Sequence, residues 1–224
     1  MASSPVPDAE QAARDRMADV FIDIYRKNAW GDSASVSGPG STVARAAAFI
    51  DDLVALLHEY KIRSLLDAPC GDGQWIGPVA DAVERYVGLD IVPELIAELN
   101  RRPKAGPQRR YGVGDLTRDP LPTVDLILCR DCLVHFSFAD VARAVANMKR
   151  SGSRYLLTTT FEDREQNPEI ETGAWRPLNF CAAPFHLPEP VATVDEKCLH
   201  TGGIYRDKRL GLWPLESVVV PRLT

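Results

Sequence analysis

Paired cysteine clusters, long apolar runs and a surplus of basic residues are missing from this sequence, and each absence excludes a class of protein. Its 224 residues include five cysteines, and the nearest two, Cys129 and Cys132, have no second pair to complete a zinc site. We interpret the five as reduced thiols in a cytoplasmic protein. No apolar run approaches the roughly 18–20 residues that cross a bilayer, and the N-terminus lacks the basic-then-apolar pattern of a secretory signal.

The net charge of the protein further limits which molecules we expect it to bind. The net charge of −5 leaves no surplus of Lys and Arg for phosphate contacts, so nucleic acid is an unlikely partner on this ground. A basic stretch at residues 101–110 is interpreted as a solvated loop. We expect no membrane partner, and a monomer or homodimer that acts on a small molecule.

Residues 1–60 are predicted to form a helical extension that covers a ligand. After a short loose tail, apolar positions at helical spacing predict a helix from residue 8 to about residue 27. Residues 28–42 are rich in Ser and Gly and cannot continue this helix. Ser41 or Thr42 is a good N-cap for a second helix. The apolar stripe predicted for that helix consists of Val43, Ala47, Ile50, Val54 and Leu57.

Residues 61–224 are predicted to form one domain in which strands and helices alternate. Short apolar runs predict strands, and helical patterns follow near Trp75, Pro93 and Phe138. The predicted strands lie at residues 63–68, 85–90, 109–115, 124–131 and 153–161. This alternation implies parallel strands joined by crossovers, hence a doubly wound, mostly parallel α/β sheet with helices on both faces.

The last third of the chain breaks the alternation. Residues 167–190 are rich in proline and aromatic residues and too long for an idle connection, so we expect a binding loop or lid. Residues 191–197 and 209–220 are predicted to be two closing strands that form a hairpin.

The stretch LLDAPCGDGQW (residues 65–75) runs from a strand into a glycine-containing loop, where open parallel sheets bind ligands. Gly71 and Gly73 permit backbone angles and a close ligand approach that other residues prevent. A dinucleotide site would need a third glycine, which is missing, and Asp72 would face the pyrophosphate. Asp67 instead suits a ligand with a cationic group and no phosphate, such as S-adenosylmethionine.

Two further acids follow the next two strands. Asp90 is placed to accept hydrogen bonds from both ribose hydroxyls of a nucleoside, and Asp115 to accept one from an adenine amino group. With these acids, the sequence resembles the class I S-adenosylmethionine-dependent methyltransferases over roughly residues 63–161. The motifs that carry the resemblance are LLDAPCGDG, VGLD, GDL and DLILCRDCLVHF, in the family's order and spacing.

The resemblance implies a seven-stranded Rossmann-like sheet and an enzyme that uses S-adenosylmethionine and releases S-adenosylhomocysteine. It also implies which residues contact the cofactor. They are Asp67, Ala68, Cys70, Gly71, Gly73, Trp75, Asp90, Ile91, Asp115, Leu116, Cys129 and Arg130. The alternatives are a Rossmann domain for another nucleotide, including a nicotinamide oxidoreductase, and a catalytically silent cofactor-binding domain.

The Ser- and Gly-rich segment lies outside the family's general core and resembles the signature of a bacterial small-molecule subgroup. We hypothesise that Trp30 and the loop from residue 37 to Ser41 close over the cofactor. Gly38 and Gly40 would let backbone donors approach the cofactor carboxylate. A plain linker between two helices is the alternative.

His135 and Asp131 are the candidate catalytic residues. Methyl transfer to a hydroxyl or a protonated amine requires a base. The two residues stand four apart beside the expected methyl donor, so one helical turn would bring them to one face. His135 is the leading candidate base, with Asp131 as a hydrogen-bond partner of His135 or of the acceptor. A purely structural histidine is one alternative, and a metal site, for which no third ligand is evident, is another.

The acceptor is expected to bind to the proline-rich stretch. Trp175 and Phe185 would supply apolar walls and Asn179 a polar contact, and Arg176 could bind a carboxylate or phosphate. Core packing under a long loop is the alternative. The expected function is methylation of an oxygen or nitrogen of a small polar molecule such as a sugar, a natural product or a metabolite. RNA or protein methylation is the competing function.

Overall fold

The computed structural model describes residues 9–30, 32–102, 108–199 and 201–220. The predicted N-terminal tail and half of the basic stretch lie outside the described residues. Six α-helices occur within these ranges: α1 (Ala9–Arg26), α2 (Val43–Ala46), α3 (Ile50–Glu59), α4 (Gly77–Asp81), α5 (Pro93–Arg101) and α6 (Phe138–Arg150). The strands are β1 (Ser64–Asp67), β2 (Arg85–Asp90), β3 (Arg109–Val113), β4 (Leu126–Cys129), β5 (Tyr155–Phe161), β6 (Ala192–Asp195) and β7 (Lys208–Pro214).

One sheet contains all seven strands, in the order β3-β2-β1-β4-β5-β7-β6. Strands β1 to β5 pair in parallel, and β7 runs antiparallel to both of its neighbours, β5 and β6. The doubly wound, mostly parallel, seven-stranded sheet is therefore confirmed. The closing hairpin of β6 and β7 is confirmed as well.

Apolar side chains alternate between the two faces of the sheet and build two cores. On one face, Leu65 of β1 packs in a cluster with Leu53 of α3 and Val79 of α4. On the other face, Leu66 packs in a cluster with Val145 of α6 and Met17 of α1. Because neighbouring strand residues point to opposite faces, a strand that is apolar throughout must be covered on both sides.

The predicted apolar stripe of the second helix holds at Ile50, Val54 and Leu57, which pack in or against the core, and is wrong at its first two positions. Ala47 and Val43 are exposed, and a turn at residues 47–49 divides the segment into α2 and α3. The buried positions are Ala46, Phe49, Leu53, Leu56 and Leu57. The break turns the Phe49 ring inward, where it meets the ring of Trp75 at 5.6 Å between centroids. The N-cap prediction agrees with the structure at Thr42, whose side chain accepts a hydrogen bond from the Arg45 amide.

None of the described helices has the length and apolar character of a bilayer-spanning segment.

Trp213 of β7 provides a test of the core. Its side chain is fully buried, and its indole N–H donates to the carbonyl oxygen of Pro188 at 2.7 Å. We expect Trp213→Ala to lower the free energy of unfolding by about 3–5 kcal/mol in a urea titration, because it leaves a large cavity. The matched variant Trp175→Ala removes a ring that is 43% exposed and should cost less than about 1.5 kcal/mol. Equal losses in the two variants would contradict this packing.

Candidate active site

A cavity of about 570 Å³ lies at the carboxyl edge of the sheet. Its wall includes residues that end or follow the parallel strands, among them Asp67, Asp90, Asp115, Arg130 and Phe161. The N-terminal helix α1 and the Ser- and Gly-rich segment complete the enclosure. Other residues that the sequence places at a cofactor also line it: Trp30, Gly38, Ser41, Ala68, Cys70, Gly71, Trp75, Ile91 and Leu116.

Two buried carboxylates organise the glycine loop. Asp90 accepts hydrogen bonds from the backbone N–H groups of Gly71 (3.0 Å) and Val92 (2.9 Å), and Asp67 accepts one from the Tyr86 hydroxyl (2.7 Å). Burial raises the pKa of Asp67 to about 7, against the lowering effect of that hydroxyl. Burial raises the pKa of Asp90 to about 6, although its two backbone donors oppose the change. Both acids therefore favour a ligand that brings positive charge or hydrogen-bond donors.

One carboxylate oxygen of Asp115 accepts no hydrogen bond from the protein. Its Oδ1 accepts hydrogen bonds from the amide (2.8 Å) and the hydroxyl (2.6 Å) of Thr117. Its Oδ2 is buried and accepts no hydrogen bond, although the Arg118 Nε lies 3.2 Å away as an ion pair. A buried acceptor without a donor is uncommon in folded proteins. An amino group of a ligand in the cavity would supply that donor.

The Ser- and Gly-rich segment is fastened to the glycine loop by side-chain hydrogen bonds. The Ser35 hydroxyl donates to Asp72 Oδ2 at 2.8 Å, and the Asp72 amide donates to the Ser37 hydroxyl oxygen at 3.0 Å. The Gln74 side-chain amide donates to the Ala34 carbonyl oxygen at 2.8 Å. Asp72, which disfavours a pyrophosphate, thus has a structural role in holding this segment.

The two glycines of the loop serve different contacts. Gly71 has a φ of +53°, and a Cβ at this position would lie 2.3 Å from the Ser37 hydroxyl oxygen. Gly71 therefore makes room for the covering segment, which is the Ser- and Gly-rich segment at residues 32–42. Gly73 does not line the cavity, and a Cβ there would lie 2.9 Å from Leu99 of α5. The lack of a side chain at Gly73 thus permits helix packing, and its contact with the cofactor stays a prediction.

A buried ionic cluster adjoins the cavity beyond β4. Both oxygens of Glu196 accept hydrogen bonds from the Arg130 guanidinium, at 3.2 and 2.6 Å. The same guanidinium donates to the Gly40 carbonyl oxygen at 3.0 Å, which ties the covering segment to the sheet. The Lys208 ammonium lies 2.7 Å from Asp131 Oδ2 and 3.0 Å from Glu196 Oε2. Two cations and two carboxylates therefore balance one another.

The cluster corrects the role expected for Asp131. Its carboxylate pairs with Lys208 and Arg130 rather than with His135. Burial alone would raise the pKa of Asp131, but the charges of Lys208 and Arg130 outweigh burial and hold this pKa well below its usual value. Burial alone would likewise lower the pKa of Arg130, but the charges of Glu196 and Asp131 raise it. Asp131 is thus a fixed anion, occupied by its cationic neighbours.

His135 is held in one tautomer. Its Nδ1 lies 2.8 Å from the carbonyl oxygen of Ala174, which can only accept, so Nδ1 carries the hydrogen. The amide of Gly173 in turn donates to the His135 carbonyl oxygen at 2.8 Å. Burial lowers the pKa of His135, so the ring is neutral near pH 7 and Nε2 keeps a lone pair. The Trp30 ring lies beside it, 5.1 Å between centroids.

Arg176 does not reach the cavity. Its side chain is 1% exposed, donates to the Phe136 carbonyl oxygen at 2.7 Å and stacks over the Phe138 ring at 5.0 Å. Burial lowers its pKa to about 10. This contradicts the expected contact with an acceptor carboxylate or phosphate, because the guanidinium is enclosed by the loop that the acceptor was expected to touch.

Three other expected contacts are also displaced from the cavity. Asn179 donates to two backbone carbonyl oxygens in its own loop, at 3.2 and 2.8 Å, and Phe185 packs against the Phe180 ring in the core. Cys129 is fully buried in β4. Of the four predicted acceptor residues, Trp175 is the one that lines the cavity.

The sequence reasoning missed several residues of the site. Lys208 and Tyr205 line the cavity from the closing hairpin, and Phe161 lines it from the end of β5. Glu196 lies 66 residues beyond the arginine with which it pairs. No spacing pattern connects such distant positions. Across the described residues, no three His, Cys, Asp or Glu side chains are grouped as metal ligands.

A family model described as a methyltransferase domain matches residues 65–152. These residues include the glycine loop, Asp90, Asp115 and the β4 segment with His135. Residues 65–152 form a methyltransferase domain. The predicted methyltransferase family is thereby confirmed for this part of the chain, and the order of the seven strands agrees with the predicted class I fold.

Two curated methyltransferases are similar in sequence to this chain. A probable S-adenosylmethionine-dependent methyltransferase of Mycolicibacterium smegmatis is 27% identical over 161 residues, 70% of this chain and 58% of that protein. A malonyl-[acyl-carrier protein] O-methyltransferase of Serratia marcescens is 27% identical over 130 residues, 53% of this chain and 50% of that protein. The chain thus spans about half the length of these curated relatives.

A solved structure shares the fold around the methyltransferase domain. It is the N-methyltransferase NodS from Bradyrhizobium japonicum WM9, 16% identical, with a TM-score of 0.52 over 74% of this chain and 93% of that one. This level of identity supports the common fold.

Glu196 tests the ionic cluster beside the methyltransferase domain. Glu196→Gln should lower the free energy of unfolding by about 3–5 kcal/mol, because two buried cations would then share one carboxylate. The control variant Glu84→Gln removes a carboxylate whose ion pair with Arg63 is mostly exposed, and it should cost less than about 1 kcal/mol. Chemical denaturation of both variants gives the comparison. A loss below 1 kcal/mol for Glu196→Gln would show that the cluster contributes little.

Proposed function

We propose that this protein is a methyltransferase that moves a methyl group from S-adenosylmethionine to an oxygen or nitrogen of a small molecule, with His135 as general base. The observation that carries the proposal is the hydrogen bond of His135 Nδ1 to the Ala174 carbonyl oxygen, which leaves Nε2 as the proton acceptor of a ring that lines the same cavity as the strand-end acids. A base must lie within reach of the proton it removes. The absence of disulfides among the five cysteines supports a reducing compartment such as the cytoplasm.

The side chains present fit the proposed cofactor. Asp67 would accept from its ammonium group, Asp90 from its ribose hydroxyls, and the unused Oδ2 of Asp115 from its adenine amino group. When bound, S-adenosylmethionine supplies a methyl carbon attached to a sulfonium, which is an excellent leaving group. The protein then has to position the acceptor, exclude water and accept a proton.

The size and enclosure of the cavity support a small acceptor. Its volume of about 570 Å³ falls among small-molecule pockets, which range from roughly 300 to 1,000 Å³. The wall includes Trp30 and Tyr25, from the α1 helix and the residues that follow it, so the described part of the chain covers this edge of the sheet. A protein or RNA acceptor would need an open, extended surface. A catalytically silent binding domain would share the cofactor contacts but not depend on His135.

The raised pKa of Asp67 predicts how cofactor affinity depends on pH. A carboxylate must be ionised to hold an ammonium group, so binding strengthens as pH rises through about 7 and weakens as pH falls below it. Calorimetry with S-adenosylmethionine should show a dissociation constant that rises about tenfold per pH unit below this pKa. Asp67→Asn should weaken binding about 10- to 100-fold and remove the dependence near pH 7, leaving the contribution of Asp90 at lower pH.

The exposed variant Asp52→Asn is the control for charge removal and should bind like the wild type. Unchanged affinity in Asp67→Asn, or tighter binding at low pH, would remove Asp67 from the cofactor site.

The covering segment is proposed to close over the cofactor, and Trp30 tests this. Trp30→Ala should raise the dissociation constant for S-adenosylmethionine about tenfold, because it removes apolar wall and the contact that supports Gly38. Retention of the wild-type dissociation constant would leave residues 32–42 a linker between helices.

Substitution of His135 distinguishes an enzyme from a catalytically silent binding domain. His135→Ala should lower kcat by about 10²–10⁴-fold and leave the dissociation constant of S-adenosylmethionine within about twofold, because a general base acts in the transition state. At saturating substrates, the lowered pKa of His135 predicts that kcat is constant at neutral and alkaline pH and declines only in acid, below the usual range of histidine. Steady-state kinetics on any acceptor that the wild type methylates provides the measurement.

The matched control is His58→Ala, which removes an exposed histidine from α3. Added imidazole should restore part of the activity of His135→Ala and have no effect on His58→Ala. Near-normal turnover of His135→Ala would end its assignment as the base.

A further inference from the structure

We propose that the acceptor is an uncharged aromatic compound with a phenolic hydroxyl group, which His135 deprotonates. This inference rests on the proposed function and names the substrate class that the same site would take. The observations that lead to it are an aromatic wall, a lack of uncompensated charge in the neighbouring ionic cluster, and the character of the base.

Three aromatic rings form one wall of the cavity. The centroid of the Trp175 ring lies 5.2 Å from that of Tyr205 and 6.1 Å from that of Phe161, and Phe161 and Tyr205 are 5.9 Å apart. The rings meet edge to face, at 69° to 86°, so each fixes the orientation of the others. Trp175 still has 43% of its surface exposed although it lines the cavity. A flat apolar surface is therefore available to a ligand.

The N-terminal helix adds apolar side chains to the same cavity. Phe21 and Ile24 of α1 line it together with Phe136, whose ring lies 5.7 Å from that of Phe21. A Cβ built at Gly173 would lie 3.7 Å from Ile24, which shows that α1 packs closely against the loop that carries Trp175. The ring of an aromatic acceptor would replace water along both apolar surfaces.

The ionic cluster beside this aromatic wall is internally balanced. Lys208 and Arg130 are paired with Asp131 and Glu196, so neither cation is available to an anionic acceptor without breaking a buried ion pair. Asp131 is likewise occupied and gives little attraction to an ammonium group. A sugar acceptor would bring several hydroxyls, each of which needs a partner when it leaves water. An uncharged ring with one hydroxyl avoids these costs.

The base also favours a phenol over an alcohol. Burial lowers the pKa of His135, so its neutral ring is a weak base. A phenol has a pKa near 10, as in tyrosine, and an aliphatic alcohol has a far higher pKa, so a weak base removes the phenolic proton far more readily.

The atoms of the transfer balance. The lone pair on His135 Nε2 takes the phenolic proton while the phenol oxygen bonds to the methyl carbon, and the carbon–sulfur bond breaks with its electron pair remaining on sulfur. The products are a methyl aryl ether, neutral S-adenosylhomocysteine and a protonated His135, which returns its proton to solvent.

The surface beside the wall is apolar as well. Leu199 is 73% exposed and Ile204 is 58% exposed, and they follow Cys198 and precede Tyr205, both of which line the cavity. Exposed apolar side chains beside cavity-lining residues in the sequence would suit a ligand whose apolar part extends beyond the cavity.

The test first establishes cofactor binding by calorimetry with S-adenosylmethionine, which decides the proposed function separately. Binding of 2-naphthol to the protein loaded with S-adenosylhomocysteine is then measured for the wild type, Trp175→Phe, Trp175→Ala and the control Val219→Ala, an exposed position outside the cavity. We expect Trp175→Ala to weaken 2-naphthol binding about tenfold or more, Trp175→Phe to retain most of it, and Val219→Ala to match the wild type.

Turnover is compared for 2-naphthol, 2-phenylethylamine, cyclohexanol and methyl glucoside as acceptors. We expect product from the phenol at a kcat/KM at least tenfold above that for the other three. The inference is overturned if the loaded protein does not bind 2-naphthol, or if Trp175→Ala binds it like the wild type. It is also overturned if the amine, the alcohol or the sugar is methylated with a kcat/KM equal to or above that of the phenol. Failure to bind S-adenosylmethionine would instead overturn the proposed function on which the inference rests.

Discussion

Burial of carboxylates at the tips of parallel strands is the constraint on which this structure depends. Asp67 and Asp90 end adjacent strands, and withdrawal from water raises the pKa of both acids. Asp67 accepts a hydrogen bond from Tyr86 and Asp90 accepts two from backbone amides, while one oxygen of Asp115 accepts none. Such an arrangement suits a ligand that brings positive charge and hydrogen-bond donors. The fold supplies the acids together because the carboxyl ends of its parallel strands share one edge of the sheet.

The covering segment follows from the same constraint. Glycine at position 71 leaves space for Ser37, while Asp72 receives the Ser35 hydroxyl and so fastens the segment over the loop. Arg130 continues the connection, because one guanidinium contacts Gly40 of the segment and Glu196 beyond β6. The glycine loop, the covering segment and the closing hairpin are thereby joined through buried polar contacts. We expect a substitution in one of these elements to alter the structure of the others, because their buried polar groups need partners.

The sequence predicted the central sheet well because its signals are local. Apolar runs such as residues 64–67 and 126–129 are short, continuous and bounded by turns, so strand periodicity and length suffice to recognise them. The acids at the strand tips follow from the strand boundaries. The second helix was harder, because the apolar stripe from Val43 to Leu57 fits an unbroken helix and hides the turn that buries Phe49.

The part of the cavity expected to bind the methyl acceptor could not be predicted from the sequence, because it depends on tertiary contacts. Arg176 and Trp175 are adjacent in sequence, yet the first is enclosed beneath the loop and the second lines the cavity. No local pattern distinguishes them. Lys208 and Glu196 come to Asp131 and Arg130 only through the antiparallel pairing of β7 with β5 and β6. Long irregular segments carry function through such placements, which composition alone does not reveal.

We expect the strand-tip acids to select a positively charged nucleoside over one that carries a pyrophosphate. Calorimetric titration of the same protein sample with S-adenosylmethionine and with NAD⁺ at pH 8, where Asp67 and Asp90 are ionised, tests it most directly. We expect S-adenosylmethionine to bind and NAD⁺ to give no measurable heat of binding, because its pyrophosphate would meet Asp67 and Asp72. Binding of NAD⁺ with the tighter dissociation constant, or no binding of S-adenosylmethionine, would contradict the claim.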